Sequence, residues 1–384
     1  MDQPLILAIN PGSTSMKLGV YRGTELVAKK QVDYTAEQLA PYKTMSDQLE
    51  LRAQTVGEFL DSLGPRAKLA AAVGRGGVIV PVQSGAYRVN RLMVDRLLNR
   101  PLGQHASNLG GVLAYQVAQP LGIPAFVYDG VTVSELEPLA LLTGYREVIR
   151  LSRCHALNMR AMAIRAAREA GSSYRDLNQI VVHLGGGITL SAHRKGRMVD
   201  VVLDSEGPFS PERAGRIPAT PLLRHAAAQN LGPGELIRRT RGQGGLVSLL
   251  GTNDAREVEG RIQAGDAKAR LVYETMAYQT AKGVGELATV LEGKVDQIVL
   301  TGAIARSQRF LAWLIPRISF LGKVVVLPGE DELEALSQGA LRTLRGEEPI
   351  HQYTPELDRR GERELLELAM EEYERDLSPP GQME

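Results

Sequence analysis

Apolar and polar positions along this chain fall into short blocks whose period switches between two and about 3.6. Residues 5–9, Leu-Ile-Leu-Ala-Ile, form an apolar run with the length and branching of a buried strand. Polarity flips at Asn10-Pro11-Gly12-Ser13-Thr14-Ser15. Leu18, Val20 and Tyr21 then alternate with polar positions, so the chain returns as a second strand, and residues 25–32 read as a third. Leu49, Ala53, Val56, Leu60 and Leu63 step by three and four, which predicts an amphipathic helix. Residues 69–73 are a short buried strand that stops at Gly74-Arg75-Gly76-Gly77. Residues 91–98 and 108–118 read as helices, with Gly103-Gln104-His105 between them. Residues 124–128 are another strand, ended by Asp129.

The second half repeats the opening event. Residues 156–170 predict a helix carrying Arg160, Arg165 and Arg168. Residues 179–183 form a strand that runs into Leu184-Gly185-Gly186-Gly187. Residues 188–192 and 198–203 follow as strands joined by the basic turn Arg194-Lys195-Gly196-Arg197. Strand, small-residue turn, strand thus occurs twice, alike in pattern more than in letters. Residues 204–265 are rich in Gly and Pro and predict short helices. Residues 268–291 predict the longest helix, its stripe marked by Val272, Met276, Val284, Leu287 and Leu291. Residues 297–300 are a strand into Thr301-Gly302-Ala303-Ile304-Ala305, 323–327 a strand and 332–344 a helix. From Pro355 the charged tail predicts an amphipathic helix on the body with a frayed end.

Length and composition set the class. At 384 residues the chain exceeds one ordinary core, so two domains are expected. Hydrophobic content of 43% and charged content of 23% are those of a soluble globular protein. A net charge of +1 gives no basic excess for nucleic acid or an anionic membrane. The single cysteine, Cys154, excludes an internal disulfide framework and suits a reducing cytoplasm. No leader pattern precedes the first strand, and no apolar run reaches the ~18 residues that span a bilayer. A cytoplasmic enzyme is the expectation.

The candidate chemistry sits where strands end, the edge at which open α/β sheets hold ligands. A turn of glycine and small hydroxyl residues after a strand can aim N–H groups and hydroxyls at an anion, and Lys17 follows within reach. There is no GxxxxGK[ST], and a strand rather than a helix follows, so this is neither a P-loop nor the dinucleotide fingerprint. Taken alone, the stretch also fits an ordinary β-hairpin with a polar turn. A solvated surface arginine, a satisfied structural histidine and a helix-start charge cluster are the competing readings for Arg75 and Arg213, for His105, His155 and His183, and for Glu330-Asp331-Glu332.

The ordered set of motifs resembles the acetokinase family within the acetate kinase, sugar kinase and actin superfamily, and within it the butyrate kinase branch. INPGSTSMK at 9–17 resembles a first phosphate motif, VVHLGGGIT at 181–189 a second, and VLTGAIA at 299–305 an adenosine motif. GRGG at 74–77, HASNLGG at 105–111, YDGV at 128–131, HALN at 155–158 and GPFSPERAG at 207–215 match in the same order, so the resemblance covers residues 5–345. Acetate kinases carry histidines around the loop arginine, where Gly76 and Gly77 stand here; this favours the butyrate branch. Ala303 stands where a second glycine is common, and Cys154 where an aromatic is common.

The resemblance implies an α/β fold of two duplicated actin-like, ribonuclease-H-like domains with an active-site cleft between them. Residues 1–155 with 346–384 would be the acyl-substrate domain, and 156–345 the nucleotide domain. It implies reversible transfer from ATP to a short-chain carboxylate such as butyrate, with Mg²⁺, and a homodimer. Arg75 would bind the carboxylate or the phosphoryl group in flight and Arg213 would be the second arginine; a planar fork suits both ligands. His183 and His155 would hydrogen-bond the phosphoryl group, and His105 less directly. Asn10, Asp129 and Glu332 would organise Mg²⁺, mostly through waters, with Asp129 also in the catalytic set. Ser13, Ser15 and Lys17 would hold the β-phosphate side, and Gly185, Gly186 and Gly187 would bring backbone N–H groups to phosphate. Gly302 would admit adenosine. Val78 and Pro208-Phe209 offer an apolar slot for the acyl chain. Two alternatives remain at this point: a sugar or polyol kinase, and a non-catalytic actin-like nucleotide switch. Asn10 and His183 open the phosphate motifs where hydroxyl-acceptor kinases commonly carry Asp, and a carboxylate nucleophile needs no base.

Overall fold

The computed structural model describes residues 3–64 and 68–377. The chain divides into two compact units, residues 1–157 with 331–384, and residues 158–330.

In the first unit the opening apolar run becomes β1 (Leu5–Pro11), with β2 (Ser15–Arg22) and β3 (Glu25–Asp33) folding back from it in turn. β4 (Leu69–Arg75), β5 (Ala86–Arg88) and β6 (Ala125–Tyr128) follow. The second unit holds β7 (Asn178–Leu184), β8 (Ile188–Arg194), β9 (Arg197–Val202), β10 (Gln297–Gly302) and β11 (Lys323–Pro328). The chain then returns to the first unit with β12 (Ile350–Gln352). The sheet orders are β12-β5-β6-β4-β1-β2-β3 and β11-β10-β7-β8-β9. In each, the first strand of the unit pairs antiparallel with its successor on one side and parallel with a later strand on the other. The strand order of the five-stranded sheet is therefore repeated inside the seven-stranded one, which is the duplication expected from the two turns.

Each sheet is covered on both faces. Val127 of β6 lies against Gly111 of the helix Asn108–Leu121, and its neighbour Tyr128 against Gly339 of the helix Glu332–Leu344. Successive strand residues point to opposite faces, so these helices occupy opposite sides. The same alternation holds in the second unit. Leu190 meets Gly283 of the helix Ala267–Val290, while Thr189 and Ser191 reach the Met159 sulfur of the helix Ala156–Glu169. Sheets covered this way explain why β1 and β7 read as nearly unbroken apolar runs.

Three expectations change. The helix Leu49–Ser62 buries Arg52, Thr55, Val56 and Phe59, not the stripe Leu49, Ala53, Leu60, Leu63; of the expected set only Val56 is buried. Its core-facing side carries a cation and a hydroxyl, which an apolar-periodicity reading passes over. Residues 331–345 group with the first unit, not the second, because the helix Glu332–Leu344 packs on β1, β2, β4 and β6, with Leu333 1% exposed. Phe209, expected beside an acyl slot, belongs to the hydrophobic core of the second unit. Among the described residues, no helix is long and apolar enough to cross a membrane.

Candidate functional site

The ends of β1, β4 and β6 lie side by side in the first sheet, and each carries a predicted site residue: Asn10, Arg75 and, one residue past β6, Asp129. The first residue of the helix Glu332–Leu344 completes the group. Arg75 Nη1 donates to Glu332 Oε1 at 2.7 Å, and Asn10 Nδ2 donates to the other carboxylate oxygen. The helix-start reading of the acidic run belongs instead to Asp331, whose Oδ1 accepts from the Glu334 amide at 3.0 Å. Glu332 is thereby left to face the strand ends.

Close backbone packing sets the position of Arg75. A Cβ on Gly74 would stand 2.0 Å from the Gly110 carbonyl oxygen, and one on Gly110 would stand 2.4 Å from the Arg75 carbonyl oxygen. A Cβ on Gly77 would meet the Asn108 backbone at 2.6 Å. The glycines of GRGG and NLGG therefore let the helix Asn108–Leu121 lie directly on the end of β4. Asn108 seals the joint: Oδ1 accepts from the Val78 amide at 2.8 Å, and Nδ2 donates to the Gly103 carbonyl at 2.9 Å.

His105 sits beside this group. Its Nδ1 accepts from the Ser107 amide at 3.2 Å and lies 2.6 Å from the Ser107 hydroxyl, which puts the neutral ring's proton on Nε2. Burial holds His105 below the ordinary histidine range; the Arg75 charge adds to that, and Glu332 opposes it. Asp129 is 4% exposed with a left-handed φ of 42°, and its Oδ1 accepts from the Gly85 amide at 2.7 Å. Between β5, β6 and the chain after Arg75 lies a small pocket. Ile79, Val82, Val127 and Val133 give it apolar walls, and Asp129 stands at its edge. His155 is half-buried at the start of the helix Ala156–Glu169. Burial pushes the neighbouring Cys154 thiol up to about 11, so it stays a protonated, unreactive group.

The turn at residues 12–15 is tied from behind. The Gly12 amide donates to the Ser15 carbonyl at 2.8 Å, and the Tyr34 amide to the Thr14 carbonyl at 2.8 Å. The fully buried Arg52 donates to the Ser13 and Ser15 carbonyls at 3.2 and 3.0 Å. Ser13 is exposed, while Ser15 and Lys17 are half-buried.

In the second unit His183, 2% exposed, is oriented by Asn158, whose Nδ2 donates to its Nδ1 at 2.9 Å. The ring proton then lies on Nε2, 3.5 Å from a Glu330 carboxylate oxygen. The glycine turn follows directly. The Gly185 amide donates to the Gly187 carbonyl at 3.2 Å, and the Gly186 carbonyl accepts from the Ser210 hydroxyl at 2.8 Å. A Cβ on Gly187 would stand 2.3 Å from Arg213 Nη1. Arg213 thus lies flat against the glycine turn. Asp204, 7% exposed, holds it there at 2.5 Å and also accepts from Arg241 at 2.8 Å. Gly302 has φ +90°, and a Cβ on it would stand 2.4 Å from the Leu184 carbonyl oxygen.

Within the first unit, then, the structure brings Asn10, Arg75, His105 and Glu332 into one group. Within the second it brings together His183 with Glu330, and Gly187 with Arg213. Asp129 lies two strands from Asn10, roughly 10 Å away at the usual strand spacing, so the three predicted Mg²⁺ organisers do not form one compact inner shell. Among the described residues no three His, Cys, Asp or Glu side chains gather as a metal site. Asn10 Oδ1, however, is buried with no hydrogen-bond partner among the described residues, an acceptor that fits a metal-bound water. Sequence reasoning missed Arg52, Asn158, Asp204 and Arg241. Asn158 lay inside a quoted motif; the other three had no local signal, because Arg52 reaches carbonyls 37 and 39 residues away, Arg241 reaches Asp204 across 37 residues, and Asp204 lies in an irregular segment.

The sequence profile of the Acetokinase family matches residues 142–325. That span holds His155, His183, Gly185–Gly187, Arg213 and Gly302; the first unit's strand-end group lies outside it. Acetate kinase from Porphyromonas gingivalis is similar in structure with a TM-score of 0.71 at 18% identity, covering 88% of this chain and 99% of that one. A propionate kinase from Francisella tularensis gives 0.69 at 17%, with 88% and 99% covered, and acetate kinase from Entamoeba histolytica 0.68 at 15%, with 87% and 98% covered. At these identities the likeness is one of fold: this chain has the duplicated, actin-like α/β fold of those kinases.

Proposed function

We propose that the protein is a carboxylate kinase that transfers the γ-phosphoryl group of ATP reversibly to butyrate or a related short or branched-chain acid, giving an acyl phosphate and ADP. The observation that carries this reading is Arg75, a guanidinium held at a strand end among Asn10, His105 and Glu332. The acetokinase match over residues 142–325 supports the phosphoryl-transfer half.

In the reaction a carboxylate oxygen attacks the γ-phosphorus in line. The new O–P bond forms as the bond to the β,γ-bridging oxygen breaks, and ADP leaves with that electron pair. The acceptor is already an anion, so no base is required, and the barrier is lowered by positioning and by neutralising charge on the equatorial oxygens. Arg75 takes the substrate carboxylate in a two-toothed grip in exchange for Glu332. Arg213, pressed on the glycine turn by Asp204, meets the phosphoryl group together with the Nε2–H of His183, and His155 adds a second imidazole. The hydroxyls of Ser13 and Ser15 with Lys17, and the amides of Gly185, Gly186 and Gly187, bind the phosphate chain, while Gly302 admits adenosine. Mg²⁺, bound with ATP, would neutralise phosphate charge; Asn10, Asp129 and Glu332 would hold its waters. The small apolar pocket beside Gly76 and Gly77 would receive the start of a short aliphatic chain. One methylene in such a pocket is worth only about 1–3 kcal/mol, so selectivity among acids is modest.

Acyl phosphate formed from MgATP and acetate, propionate, butyrate, isobutyrate or isovalerate, trapped with hydroxylamine, tests this. Activity peaks at four or five carbons and falls at least a hundredfold in Arg75→Ala. A wild type that makes no hydroxamate from any of the acids overturns the reading.

A further inference from the structure

Arg52 is a buried cation that nothing above explains. It is 0% exposed. Every group it hydrogen-bonds is neutral: the Ser13 and Ser15 carbonyls, and Gln48 Oε1, which accepts from both Nε and Nη2 at 3.1 and 2.8 Å. Its guanidinium lies 5.1 Å from the Tyr34 ring centroid. No carboxylate among the described residues pairs with it. Burying a charge without a countercharge is costly, and an aliphatic side chain would fill the space at no such cost. Burial drives the Arg52 pKa downward, as expected for a cation whose compensating charge is not part of the protein.

What the cation touches indicates where that charge belongs. Arg52 and Tyr34 together draw the carbonyls of Ser13, Thr14 and Ser15 inward. The Ser13 and Thr14 amides have no acceptor among the described residues, and both residues are exposed. A turn whose carbonyls are drawn inward and whose exposed amides lack acceptors can offer those amides to an anion.

We propose that Arg52 is a positioning residue for the phosphate chain of the nucleotide: from behind, it fixes the turn in its anion-binding form, and the bound phosphate supplies the negative charge that Arg52 lacks. This rests on the phosphate-binding reading of residues 12–15 given above, though not on the identity of the acceptor acid.

Calorimetric titration of ADP and of adenosine, each with and without Mg²⁺, into wild type, Arg52→Gln and Arg52→Lys tests it. ADP binding weakens 10- to 100-fold in Arg52→Gln and recovers in part in Arg52→Lys, which restores charge without the fork. Adenosine binding stays within twofold, and in steady state the KM for nucleotide rises while that for the carboxylate does not. If Arg52→Gln does not fold, as circular dichroism would show, Gln48→Met removes the acceptor that aims the guanidinium and weakens ADP 3- to 10-fold with adenosine unchanged. ADP and adenosine weakened equally, or ADP unaffected in a folded variant, overturns the proposal. A wild type that binds ADP no tighter than adenosine overturns it together with the phosphate reading of the turn. A wild type that binds ADP tightly, loses that affinity in Arg52→Gln and makes no acyl phosphate upholds Arg52 and removes only the carboxylate kinase.

Discussion

The two turns at the heads of the two sheets stand at the same topological place, between β1 and β2 and between β7 and β8, and are held by opposite means. The first is built of hydroxyl residues and braced by charge: Arg52 grips its carbonyls from a dry interior. The second has no side chains and is braced by contact. Ser210 takes the Gly186 carbonyl, Arg213 lies on Gly187, and Gly302 lets β10 approach the Leu184 backbone. A duplicated topology thus fixes where a turn sits and leaves open how its shape is kept. The first turn tolerates bulk and is sensitive to charge; the second is the reverse.

Paired glycine substitutions probe this difference with the largest effect. Gly302→Ala must place a Cβ 2.4 Å from a backbone oxygen at φ +90° and is expected to lose more than about 3 kcal/mol. Gly12→Ala meets only the rotatable Ser15 hydroxyl, at 2.7 Å, and costs about 1 kcal/mol or less. Equal losses in urea unfolding would break the comparison. Acid separates the two units next. His193, wholly buried between the Tyr174 and Ser191 hydroxyls at 2.7 Å each, is held down to about 3, by burial first and then by the Arg160 charge. The unfolded chain takes up that proton below about pH 6.5 while the native chain refuses it, so stability falls as pH drops from 6.5 towards 3, by up to about 1.4 kcal/mol per pH unit. His193→Gln should flatten that slope; an unchanged slope in acid titration of stability would count against the assignment. Asp204→Asn loosens Arg213 and Arg241 without touching the first turn. Phosphoryl transfer should drop roughly tenfold, about 1.4 kcal/mol in barrier, with nucleotide affinity unchanged. A matching loss of ADP binding would show that Asp204 shapes the whole turn. The smallest effect lies in the first unit. Burial raises the Asp358 carboxyl, but hydrogen bonds from Arg96, Tyr353 and Arg100 outweigh that and hold it at about 2. Its contribution is complete above about pH 4 and is lost as pH falls through 2, so Asp358→Asn should lower the melting profile by a constant amount above pH 4 and converge with wild type near pH 2.

Much of this architecture was legible in the letters. β1, β4, β7 and β10 are buried on both faces, so their apolar runs stand out, and the polarity flips after them mark the site edge. β5 and β12 were not legible. Each is three residues long, and they pair with each other across more than 250 residues of chain, which no local pattern reports. Arg52 was hidden for a related reason: a buried arginine breaks the apolar stripe that periodicity looks for, and its value lies in carbonyls 37 and 39 residues away. The boundary at residue 331 was missed because a helix after an acidic run looks alike whichever sheet it covers. Gly74 and Gly77 seat a helix on β4, a purpose visible only once Gly110 and Asn108 are in place.

The first unit is interrupted by the whole of the second, and its sheet is closed by the helix Glu332–Leu344 and by β12. On the ribosome this sets an order of events. At roughly 5–20 residues per second, β4 waits on the order of 15–50 s for the helix that covers it. The second unit, one uninterrupted stretch of chain, has all its parts before that helix is made. The segment translated first is therefore the last to be completed, and through that interval the apolar face of β1, β2 and β4 is the part of the nascent chain most in need of a chaperone.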